Sequence, residues 1–153
     1  MERNRRNPRL TTRFEDLSAA LRAQAGGVYC VVAAVELLIG HRFWLCREDF
    51  VKRFIEVDAS VGETPVAFVD WAAAVLALDS GQLACSGSQG QVLRVATSLA
   101  EGIPVDLRDG LSGLDERNLS LVAAAVWHAG GCAAGPGAGA GSQLGPVGDR
   151  LWR

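Results

Sequence analysis

The stretch Val28 to Ile39, VYCVVAAVELLI, is apolar almost all the way round a helix and carries one charge, Glu36. At about 12 residues it is far short of the roughly 20 needed to cross a bilayer. A helix with no polar face cannot lie on a surface, so it must be wrapped by other elements. The rest of the chain is therefore read as material that covers it. With 153 residues, 49% of them hydrophobic, there is enough for one core and too little for two.

Flanking segments supply that cover with helical signals. Phe14, Leu17 and Leu21 recur at helical spacing behind the potential capping box Thr12 to Glu15, and Gly26-Gly27 offer a left-handed exit, so a first helix is expected over about 13–25. Gly40 is the expected end of the apolar helix. In CREDFVKRFI, Glu48 precedes Lys52 and Asp49 precedes Arg53 by four, with Phe50 and Phe54 on the other side, the pattern of an amphipathic helix. DASVGETP reads as a loop, with Pro65 at the start of a buried helix through VAFVDWAAAVLAL that stops at Asp79-Ser80-Gly81. Two overlapping capping boxes, Ser86 with Gln89 and Ser88 with Gln91, open a helix closed by Gly102.

The charged and glycine-bearing stretch PVDLRDGLSGLDERN, 104–118, reads as punctuation. Asp106 caps a short turn carrying Leu107 and Leu111, Ser112-Gly113 break it, and Asp115 caps a last helix. Leu114 and Leu119 form a potential staple, and Leu119, Val122 and Val126 continue an inward stripe to Gly130-Gly131. Arg108, Asp109 and Arg117 are required by no cap and form the candidate interaction patch. The expected fold is all-α, a compact bundle of five or six helices over 12–131. A basic disordered head (1–11) precedes it and a Gly/Ala/Pro-rich disordered tail (132–153) follows.

Candidate chemistry is sparse. Cys85 stands before a helix N-terminus, which favours a thiolate, but no base can be placed beside it from sequence. His41 with Cys46 and His128 with Cys132 have zinc-compatible spacing without a Cys-x-x-Cys knuckle, so no metal or cofactor is expected. GSQGQ lacks the lysine and strand of a phosphate loop. Carboxylate pairs such as Asp106 with Asp109 are better explained as caps. Four cysteines in a chain with an ample core point to free thiols in a reducing, cytoplasmic setting.

The net charge of −2 argues against a general polyanion binder. Residues 1–13 nevertheless hold Arg3, Arg5, Arg6, Arg9 and Arg13 against Glu2, a local charge of about +4, which is the one support for nucleic-acid contact. A helix-turn-helix over 13–55 is disfavoured because its second helix is too apolar for a groove and its third carries Glu48 and Asp49 toward phosphates.

The blocks FWLCREDFV, VDWAAAV and GQVLRVATSLAEGIPVDLRDGLSGLDERNLSLVAAAVWHAGG resemble a group of small uncharacterised helical proteins from high-GC actinobacteria, over roughly 35–131. That resemblance implies no activity and assigns no site residue. The functional expectation is a non-enzymatic regulatory or protein-interaction module with an unidentified protein partner. Self-association is plausible, because two nearly all-apolar helices can exceed what one small core covers. The alternatives are a DNA-associated regulator using the basic head and a small enzyme with a Cys85 nucleophile.

Overall fold

The computed structural model describes residues 8–59 and 64–132, with side chains described from Arg13 onward. Residues 133–153 of the expected tail and residues 1–7 of the expected head lie outside the described residues. The central apolar helix is α2, Tyr29–His41, and it is covered as its composition demands. Ahead of it in the chain lies α1, Pro8–Ala25, and α2 packs against this helix as well as against the later α5, Gly87–Glu101, and α7, Glu116–Ala129. Ala33, Ala34 and Leu38 of α2 are wholly buried. Its one acid is accounted for. Glu36 accepts two hydrogen bonds from Arg22 of α1, at 2.6 and 2.9 Å, a forked pair across the α1–α2 contact.

The first helix begins earlier than its capping signal. Pro8 starts α1, a position where its missing N–H costs nothing, so Thr12 lies inside the helix and does not begin it; residues 8–11 are helical where a disordered head was expected. At the other end, Gly26 and Gly27 take φ of +40° and +93°, the left-handed exit expected of them. Gly40 does not end α2. The helix runs one residue further, and Gly40 instead admits α7, since a Cβ there would stand 3.0 Å from Leu121 Cδ2.

An aromatic run fixes the next corner. Phe43, Trp44, Phe50 and Phe54 follow one another with ring centroids 5.0 to 5.3 Å apart. Trp44 is fully buried and donates from Nε1 to the Gln89 carbonyl at 3.0 Å. Phe50 and Phe54 sit on the inner side of α3, Glu48–Phe54. Lys52 pairs with Glu48 as its spacing predicts, while Asp49 turns back to Arg47 and leaves Arg53 to donate to Gln82.

The chain is mostly helical but not all-α. Strands β1, Ile55–Asp58, and β2, Val66–Val69, pair antiparallel with Ile55 opposite Val69 and Asp58 opposite Val66. Where a helix was expected from Pro65, Val66 and Val69 favour a strand, and Ala67 is buried while Phe68 is 44% exposed, the alternation of a strand. A two-stranded ribbon is marginal alone, and here β2 lies on α1. Asp70 then starts α4, Trp71–Asp79, by accepting from the Ala73 amide at 2.9 Å.

In α5 the Ser86–Gln89 capping box is complete and Gly102 adopts the left-handed cap at φ +69°. Ser88, expected to open a second box, is already helical. The short helix α6, Leu107–Ser112, is capped by Asp106, and α7 by Asp115, as expected. Seven helices result among the described residues, against five or six expected. Among the same residues, no helix is long and apolar enough to cross a membrane.

Candidate functional site

The N-terminus of α7 is where sequence and structure part. Asp115 accepts from the Asn118 amide at 2.8 Å, and the Asn118 side-chain amide donates both to Asp115 at 2.9 Å and to the Ser88 hydroxyl at 2.8 Å. Ser88 in turn donates to Asp115 at 3.1 Å. On the same turn, Arg117 donates to the Gly40 carbonyl at 3.2 Å, satisfying an acceptor at the C-terminal end of α2. These ties pin Asn118 inward. Because each helical residue advances about 100°, an inward Asn118 brings Val122 and Ala125 inward and turns Leu119 away.

The expected stripe of Leu119, Val122 and Val126 therefore does not exist as an inner face. Val122 is 3% exposed, but Leu119 is 44% and Val126 54% exposed. Leu114 is half-buried against the core. Leu119 and Val126 instead join Ala123 and Trp127 of α7, Leu107 and Leu111 of α6 and Val95 of α5 around an open groove. Its lining is almost wholly apolar, and its open volume is about 1030 Å³. Leu107 of α6 is 60% exposed.

Beside the pinned turn lies the most buried titratable group among the described residues. His41 is 5% exposed; burial pushes its pKa down, the Arg117 charge adds to that, and Asp115 opposes it. Among the described residues, His41 Nδ1 and Asn118 Oδ1 find no hydrogen-bond partner, an unusual condition for buried polar atoms. The Asp115 carboxyl is held below its ordinary range, first by the Asn118 amide and then by the Ser88 hydroxyl. Ser88 donates to a capping carboxylate here, so the Ser88–Asp115–Asn118 cluster ties α5 to α7.

Of the candidate patch, Arg108 and Asp109 lie on α6 and Arg117 in the first turn of α7. Arg117 spans to α2, while Asp109 lines a polar cleft with Asp79, Gln91, Arg94 and Asp106, in which Arg94 and Asp79 form an ion pair. Arg108 is exposed on α6. Cys85 is exposed, yet partial burial pushes its thiol up, against the pull of Arg47 and Arg94. Among the described residues, no three His, Cys, Asp or Glu side chains are grouped so as to hold a metal ion.

Sequence reasoning missed the groove because Leu119 and Val126 look like core residues by spacing. The only warning was Trp127, next to Val126, which cannot share a face with Val122. No family model, no curated protein and no solved structure matches this chain.

Proposed function

We propose that this protein is a non-enzymatic protein-interaction module whose working surface is the apolar groove between α6 and α7. The observation that carries this reading is the grouping of Leu107, Leu111, Leu119, Val126 and Trp127, each between 40% and 60% exposed, around one groove. Exposed single hydrophobes are ordinary, but a contiguous apolar patch of this kind marks a surface that another chain covers. Aromatic and aliphatic anchors in a concavity are what a protein partner uses for binding energy, while among the described residues the lining offers a polar substrate little beyond the Cys132 thiol and the Gly130 backbone. The neighbouring polar groups are engaged elsewhere: Asp115, Asn118 and Ser88 in holding the helix ends, Arg117 on the Gly40 carbonyl.

The test is a photoreactive amino acid placed at Leu119 in the full chain, expressed in its native host and irradiated. A discrete protein adduct, lost when Val126→Glu is added and not reproduced from Phe68 on the outer side of the ribbon, is the expected result. Equal, diffuse labelling from both positions would overturn the reading.

A further inference from the structure

We propose that the occupant of the groove is the same groove of a second copy of this chain, the two α7 helices packing antiparallel about a two-fold axis near Ala123. This rests on the reading of the groove as a protein-docking surface. The first support is self-complementarity. Leu119, Ala123 and Val126 follow at spacings of four and three, one strip along α7, with the smallest residue at its middle. An axis through Ala123 sets Ala123 against Ala123 of the second copy, letting the backbones approach. It also brings Leu119 of each copy to Trp127 of the other. The small contact lies at the crossing and the large ones on either side, and each Leu119–Trp127 contact is matched by its reciprocal, as an isologous interface requires. Antiparallel packing also sets the positive end of each helix dipole beside the negative end of the other.

The second support is area. The five groove hydrophobes expose roughly 500 Å² between them, already near the upper range for the largest patch of a monomer. Against the roughly 800 Å² that each side of a stable interface buries, this is a modest area, and the association expected from it is reversible. The ionisable groups of α6 and α7, Arg108, Asp109, Glu116, Arg117 and His128, line none of the groove.

Sedimentation equilibrium of the full chain over a wide concentration range tests this. The expected result is a reversible monomer–dimer equilibrium with a dissociation constant in the micromolar range or tighter. Val126→Glu should raise that constant at least about 30-fold, the effect of losing one interface anchor. Ala123→Trp, which adds bulk at the crossing without a charge, should also weaken it, and Leu76→Glu, an exposed leucine of α4 outside the groove, should leave it unchanged. Circular dichroism of each variant separates lost association from lost folding. A concentration-independent monomer overturns the proposal, as does a dimer that Val126→Glu and Ala123→Trp both leave intact. If the monomer persists while Leu119 still crosslinks a different protein, or the chain's own residues 133–153, only the self-association fails. If neither association nor a discrete adduct is found, the docking reading fails with it.

Discussion

Val122 and Val126 lie four residues apart on α7, and truncating each to alanine should have very different consequences. Val122 is 3% exposed, so Val122→Ala removes two buried methyl groups, a transfer loss of about 1.6 kcal/mol, and leaves a small cavity that brings the cost to about 2 kcal/mol. Alanine returns about 0.5 kcal/mol through its better helix propensity, for a net loss near 1.5 kcal/mol. Val126 is 54% exposed, so Val126→Ala forfeits only about half the transfer term, and the propensity gain offsets most of it. The two variants should therefore differ by about 1 kcal/mol or more, which is about 3–6 °C in melting temperature for a chain of this size. The assay is thermal and urea unfolding followed by circular dichroism at the lowest workable concentration, where any second copy has dissociated. Equal losses, or a larger loss at Val126, would mean that both valines face the core. The rotation of α7, and the groove with it, would then be wrong.

Other expectations concern the ties that set this rotation. His41 is held neutral by burial, so the folded protein takes up its proton only at a lower pH than the unfolded chain, whose imidazole titrates near 6.5. The His41 contribution is fully present above that value and is lost as pH falls below it, at up to about 1.4 kcal/mol per pH unit until the folded pKa is reached. Urea midpoints from pH 7.5 to 5 should show this slope in the native protein and a shallower one in His41→Gln; identical slopes would refute it. Asp115→Ala should lower the melting temperature by about 2–6 °C through loss of the α7 cap. Because Ser88 donates to the same carboxylate, the Ser88→Ala, Asp115→Ala double variant should lose less than the two single losses combined, and strict additivity would count against the cluster. Trp44→Phe removes the Nε1–H bond to the Gln89 carbonyl together with part of a fully buried ring and should cost about 1–3 kcal/mol in urea unfolding, a loss that a neutral result would exclude.

Features governed by a few neighbouring residues were readable in the sequence. The Ser86–Gln89 box, the Asp106 and Asp115 caps and the glycines at 27, 81, 102 and 131 all act within one turn of chain, and each is found where expected or within a residue. The ribbon was not readable, because its strands are four residues long and the alternation of Ala67 and Phe68 is hidden inside a longer apolar run. Its formation depends on pairing across the 58–66 connection and on the α1 surface beneath it. The α7 groove escaped for a related reason. Spacing alone permits either face of LSLVAAAVW to turn inward, and the choice is made by Asn118 meeting Ser88, 30 residues away in sequence. Arg117, which no local cap explained, proves to complete the end of α2.

The central claim, that the α6–α7 groove is a contact surface, is tested most directly by hydroxyl-radical footprinting of the full chain in native host extract against the purified protein at low concentration. Trp127, Leu119 and Leu107 should label readily in the dilute purified protein and be protected several-fold in extract, while Leu76 and Phe68 label equally in both. Unchanged labelling of the groove with protection elsewhere would place the contact on another face and contradict the claim.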